Sequence, residues 1–317
     1  MNKKKTILLH PPLKTKHAYE KLKCCKYCQS YTALDEEKCS VCGKPGLQSI
    51  SEKAHQIAVR TQRTDLLLGL FITLLAILFS ETLQLMAISA ATGILLLGLL
   101  YFVHRKTSYS RTSLKLSELF QRDRDKIVAG LVRNLEAAAA QEDEGRSYEM
   151  MREVAALIRN DHIRKLQLIL LQSFVLRKDM DLELEPLLLA DFDPDLAAYI
   201  GELAKIKREL IKDRTFQYVM KYERQILAME RGEDILVGVT GAATRLKRYV
   251  LNYSNFVARY ARKLPKDRFL RIFRMIAESP DLDWGELMTE TARIHKEKYE
   301  WDADFQQLKP RSSVYDG

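Results

Sequence analysis

The chain has 317 residues, a length that allows about two domains beside any membrane segment, and a formal net charge of +9. Charged residues make up 29%, ordinary for a soluble protein, and the apolar excess is concentrated in one stretch. The charge is uneven, at +8 over residues 1–63, −1 over 64–105 and +2 over 106–317, so a basic flank beside a membrane span explains it more simply than nucleic-acid binding.

Residues 1–22 carry Lys3, Lys4, Lys5, Lys14 and Lys16 around Pro11-Pro12 and read as a flexible basic arm. Their longest apolar run is Ile7-Leu8-Leu9, too short for a secretory signal. All five cysteines, at 24, 25, 28, 39 and 42, are therefore expected in a reducing compartment, where metal binding is favoured over disulfides. Residues 23–46 contain Cys25-x2-Cys28 and Cys39-x2-Cys42, ten residues apart. Each C-x-x-C turn aims two sulfurs at one point, and two such turns close a tetrahedral four-sulfur site, the geometry of structural zinc. Iron accepts the same four thiolates, and Cys24-x3-Cys28 is an alternative register. The segment resembles the short zinc-ribbon domains found at the N-termini of many bacterial membrane proteins. The resemblance implies a glycine after each cysteine pair; Gly43 matches, whereas Gln29 stands at the first position.

Residues 47–64 read as a linker running into a short helix. Within 65–104, LLLGLFITLLAILFS and LMAISAATGILLLGLLYFV are separated only by Glu81-Thr82-Leu83-Gln84. A bilayer core needs roughly 20 helical residues, so the two runs fit a transmembrane helical hairpin turning at Ser80–Gln84, the first run being marginal alone. Arg60 and Arg63 precede it and Arg105, Lys106 and Arg111 follow, which places both termini in the cytoplasm at the cell membrane. Gly69, Gly93 and Gly98 allow close approach of the two helices.

Residues 106–309 are helical in texture and are expected to form an all-α cytosolic domain, with 310–317 as a disordered tail. Leu116, Phe120, Ile127, Leu131 and Leu135 recur at helical spacing, and residues 161–176 read as a central core helix. Asp193-Pro194 caps a long helix whose stripe runs through Leu203, Ile206, Leu210, Phe216, Val219, Met220 and Ile226 to a stop at Gly232. Further helices are expected over about 234–263, 266–278 and 282–299. The fold class is mostly α: a small zinc ribbon, a two-helix hairpin and a helical domain.

Two constellations stand out in the helical part. Asp191, Asp193, Asp195 and Glu202 have the acidic spacing of a calcium loop, but Leu196 sits where the loop needs glycine, and a capped helix N-terminus explains the same acids. Arg245, Arg248, Arg259 and Arg262 step along one face of a single expected helix, and Lys266, Arg268, Arg271 and Arg274 follow. Residues 244–274 hold ten basic side chains against one acid, Asp267. A solvated face, a docking surface for anionic lipid or an acidic protein partner, and internal pairing with the acids of 181–195 all fit. No recognised nucleic-acid fold accompanies the patch. No H-E-x-x-H, G-x-S-x-G, Walker or G-x-G-x-x-G sequence is present. The chain therefore reads as a membrane-anchored zinc-ribbon adaptor or regulator that binds partner proteins. A subunit of a membrane enzyme or transport complex, with its site in the helical domain, and a membrane-shaping hairpin protein are the alternatives.

Overall fold

The computed structural model describes residues 4–306, so the expected 310–317 tail lies outside the described residues. The chain forms two compact units, Pro12–Ile158 and residues 4–11 with 159–306. It is mostly helical, with one small three-stranded sheet and two helices long and apolar enough to cross a membrane.

In the first unit, β1 (Lys23–Cys25) pairs antiparallel with β2 (Tyr31–Thr32) and with β3 (Leu47–Ser49), giving the order β2-β1-β3. In the register, Cys24 lies opposite Tyr31 and Gln48, and Cys25 lies opposite Leu47. Strands of two and three residues are too short for apolar alternation to show in a sequence. Helix α1 (Ile50–Leu78) starts where β3 ends, capped by the Ser49 hydroxyl on the Glu52 amide. Residues 47–64 are thus a strand and the first half of one continuous helix rather than a linker. Phe79–Thr82 turn the chain into α2 (Leu83–Lys106). The helices meet at glycines: a Cβ on Gly93 would sit 2.0 Å from Thr73 Cγ2, and one on Gly69 would sit 3.1 Å from Leu97. The outward faces of both stay uncovered, with Leu67 66% exposed and Ile94 71%.

Helices α3 (Ser108–Arg122), α4 (Arg124–Ala139) and α5 (Glu144–Ala155) complete this unit. Their apolar stripe packs on the ribbon, with Leu22, Cys24, Tyr31, Ile50, Ile127, Leu131 and Val154 in one core and Leu116, Phe120 and Leu135 against it. The stripe that the sequence assigns to the later helical domain therefore belongs with the cysteine-rich segment. The reason lies in the small sheet, whose strands present apolar side chains that a segment of only about two dozen residues cannot bury alone. Gly130 lets α4 lie directly on β2, since a Cβ there would be 2.3 Å from the Tyr31 carbonyl oxygen.

The second unit contains α6 (Asp161–Ser173), α7 (Pro194–Ile206), α8 (Asp213–Lys221), α9 (Glu223–Leu227), α10 (Gly232–Ala243), α11 (Lys247–Asn252), α12 (Ser254–Ala261), α13 (Lys266–Ala277), α14 (Glu286–Ile294) and α15 (Ala303–Gln306). Residues 4–11 join it rather than forming a free arm: the Lys5 amide donates to Ser173 O, and Lys5 O accepts from Val175 N, both at 2.8 Å. The long helix expected after Asp193 breaks at Lys207, whose φ/ψ of −135°/64° ends α7, and Gly232 begins a helix instead of ending one. Met220, expected in the buried stripe, is 38% exposed. In α6, Leu168 and Leu171 are fully buried, but Ile169 is exposed, so the helix is one-sided rather than central. The Asp193 carboxylate accepts from the Asp195 and Leu196 amides at 3.1 Å, which is helix capping.

Candidate metal centre and basic cluster

Cys25, Cys28, Cys39 and Cys42 converge, with all four sulfurs within 4.8 Å of one another. The Cys25–Cys42 and Cys28–Cys39 separations are 3.7 and 3.6 Å. A tetrahedron with zinc–sulfur bonds of about 2.3 Å has edges of about 3.8 Å, and these two separations match it. The two turns are built alike. The Gln29 amide donates to Cys25 O and the Gly43 amide to Cys39 O, at 3.1 and 2.8 Å, and both residues are left-handed, at φ 58° and 70°. Gln29 thus takes the conformation that the resemblance assigns to glycine.

The alternation of β1 settles the register: successive side chains leave opposite faces of a strand, so Cys25 faces the cage and Cys24 faces the core. There Cys24 joins a buried polar cluster centred on Lys53, whose ammonium donates to Gln29 Oε1 (2.7 Å), Tyr31 Oη (3.0 Å) and Cys24 Sγ (3.2 Å). Tyr31 in turn donates to Asp123 Oδ2 at 2.7 Å, which fastens β2 to the start of α4. Burial alone would raise the Asp123 carboxyl. The hydrogen bonds from Arg122 and Tyr31, with the charges of Arg122 and Lys53, outweigh it and hold that group at about 2. Lys53 carries no sequence signal, being one of many lysines until the fold buries it.

Electrostatics within the cage are unequal. Burial alone would raise the Cys39 thiol. The Ser30 hydroxyl and the Cys42 and Val41 amides outweigh burial and bring it down to about 6. Ser30 also lowers Cys28, through its hydroxyl and its amide. The Lys44 amide lowers the Cys42 thiol, but burial and the other cage sulfurs override it and push that thiol up to about 11. Four close thiols cannot all ionise by themselves. A divalent cation reverses this, because it binds thiolates and displaces their protons. Ser30, whose oxygen lies 3.0 Å from Cys28 Sγ and 3.2 Å from Cys39 Sγ, is a further cage residue that the cysteine spacing does not point to.

The expected basic face does not exist as one helix face. Thr244–Leu246 and Tyr253 interrupt it, so Arg245, Arg248 and Arg259 belong to different segments. Leu246 is extended, and the Tyr253 hydroxyl is turned to the Asp213 carboxylate at 3.0 Å. Several of the cations have acids of their own. Arg259 is bidentate with Glu223 at 2.9 and 2.7 Å, Arg262 meets Glu297 at 2.9 Å, and Lys266 meets Asp302 and Asp304 at 2.5 and 2.8 Å. Arg248 lies over the Tyr249 ring, and Arg274 is exposed. These acids are not those of 181–195: Asp193 and Glu185 face Lys165 and Lys212 instead. Arg245, Arg268 and Arg271 gather elsewhere, around a concavity of about 460 Å³ shared with Lys178, Lys205 and Arg208.

Comparison with protein-family models, with curated proteins and with solved structures finds no match to the chain.

Proposed function

We propose that the chain is a membrane-anchored zinc-ribbon adaptor, whose cytoplasmic helical unit serves as a binding platform for a protein partner or anionic lipid. The carrying observation is the junction at Ser49, where the last ribbon strand passes without a linker into a helix whose far half is apolar and uncovered. A four-cysteine cage whose last strand runs directly into an apolar hairpin has the parts of an anchored recognition module rather than of a catalytic pocket. With four thiolates the zinc has no open position, so its role is structural. The apolar hairpin has nowhere to be buried within its own unit, and a bilayer supplies that cover. The basic flanks at Arg60, Arg63, Arg105 and Lys106 keep both termini on the cytoplasmic side.

Membrane shaping is the second reading, because the apolar half of α1 spans only residues 66–78. At 1.5 Å per residue this stretch is about 20 Å long, against roughly 30 Å for the hydrocarbon core. Labelling intact cells with an impermeant thiol reagent separates the two. Thr82→Cys should react from outside if the hairpin crosses the bilayer and stay shielded if it wedges into one leaflet. His55→Cys and Ser110→Cys should stay shielded in both cases, and opposite labelling of these two would overturn the hairpin. For the metal, purified protein should contain about one zinc per chain, lost in Cys28→Ser and Cys42→Ser and kept in Cys24→Ser.

A further inference from the structure

We propose that the groove lined by Lys178, Lys205, Arg208, Arg245, Arg268 and Arg271 is a binding site for a small phosphate-dense anion. These six cations come from four places in the second unit: the loop after α6, the end of α7 and the turn beyond it, the loop before α11, and α13. The basic run of 244–274 contains Arg245, Arg268 and Arg271, but nothing in the sequence joins them to Lys178, Lys205 and Arg208. They surround about 460 Å³, within the range of small-ligand sites, and Glu209 is the only acid in the lining.

Ordinary surface pairing does not account for the group. Elsewhere in this unit carboxylates meet several cations, as at Arg231, Arg259, Arg262, Lys263, Lys266 and Arg293, while Arg214, Arg224 and Arg274 stand singly on the surface; among the described residues, only around the groove do cations without acids converge. Around the groove, Lys178, Lys205, Arg245 and Arg271 have no acidic partner among the described residues. Like charges in a concave wall raise the local potential and concentrate counter-anions there. Two of the guanidiniums are also held in place. Arg268 donates through Nη1 to Gly241 O at 2.9 Å and through Nε to Asp267 at 3.1 Å, while Arg208 donates through Nε to Ala204 O at 3.2 Å. Anchoring leaves their remaining N–H groups oriented before a ligand arrives, which lowers the entropic cost of binding.

Four of the six are arginines, whose planar forks match phosphate oxygens in pairs. The lining has no aromatic side chain on which a base could stack, and Ile206 is its only apolar member. The chemistry therefore selects a compact polyphosphorylated group, either free in solution or carried as a lipid headgroup, over a nucleic-acid strand. This inference stands apart from the membrane and metal assignments, because the groove lies wholly within residues 178–271 and can fail or hold independently of them.

The experiment is titration calorimetry of the full chain in phosphatidylcholine nanodiscs, with inorganic tripolyphosphate as the probe. Saturable binding is expected, weakened by rising salt and weakened at least tenfold in Arg245→Gln/Arg271→Gln. Both of these side chains are exposed, so the variant keeps its fold. Arg214→Gln/Arg224→Gln removes the same charge outside the groove and should bind as wild type does. Absence of saturable binding, or equal weakening in both double variants, would overturn the site in favour of diffuse charge. Nanodiscs containing a phosphoinositide distinguish the source. Weaker tripolyphosphate binding there assigns the groove to a lipid headgroup, and unchanged binding assigns it to a free phosphorylated ligand.

Discussion

Gln29 shows two local effects opposing each other. Its φ of 58° disfavours any side chain, and glycine there would relieve about 1 kcal/mol. Yet its side-chain amide accepts from the buried Lys53 ammonium at 2.7 Å and donates to Lys26 O at 3.0 Å. A hydrogen bond to a charged group contributes about 1.5–3 kcal/mol, so the side chain outweighs the strain. Gln29→Gly is therefore expected to destabilise the first unit by about 1 kcal/mol, read by chemical denaturation of the zinc-loaded protein. A stability gain would mean that backbone strain dominates. Asp123 supplies a pH dependence. Its folded value near 2 lies below the ordinary 3.8, so its contribution is fully present above about pH 4. It is lost as pH falls from about 4 to 2, as the carboxylate that holds Tyr31 and Arg122 takes up a proton. The shift corresponds to about 2 kcal/mol. In Asp123→Asn the acid-side loss of stability should be correspondingly shallower, read as the difference from wild type under identical metal conditions so that thiolate protonation cancels.

At the scale of elements, close packing through small residues recurs in the first unit. Gly93 admits Thr73 within the hairpin, and Gly130 admits the β2 backbone beneath α4, where Asn134 Oδ1 accepts from the Ala33 amide at 2.8 Å. The contact at Gly130 is the harder one, because a carbonyl oxygen cannot swing aside as a side chain can. Gly130→Ala is expected to push α4 off the ribbon and cost about 1–3 kcal/mol, the usual range for overpacking. Loss of hydrogen-exchange protection in residues 124–139 and 31–34 would report it, and unchanged protection would show that the helix shifts without cost. In the second unit, the breaks at Thr244–Leu246 and Tyr253 redirect cations that one straight helix would have kept on a single face. The paired ones add little to stability, since exposed ion pairs contribute about 0–1 kcal/mol each.

At the scale of the molecule, the sheet beside the four-cysteine cluster runs through β3 directly into α1, so the state of the cluster bears on how that helix is mounted. Zinc chelation of the detergent-solubilised chain should remove exchange protection from residues 23–49 and from the α4 and α5 segments that cover them. Protection of 194–206 should persist, because those residues belong to the other unit. Retained protection of 23–49 without metal would mean that the apolar core alone holds the ribbon. Much of this was legible before any fold was known. Cysteine spacing picks out the four thiols that converge, because such a cluster is built from local turns. The apolar runs pick out the two helices long and apolar enough to cross a membrane, because length and lack of charge are local too. Helical periodicity marked the stripe of Leu116 to Leu135 without showing its partner. Tertiary structure decided the rest: that Cys24 faces the core, that Lys53 and Asp123 meet behind it, and that the stripe covers the ribbon. It also decided which basic residues find acids and which converge on a groove. Charge pairing and burial depend on segments far apart in the chain, and one-dimensional spacing carries no record of where a helix breaks and which neighbour it then meets.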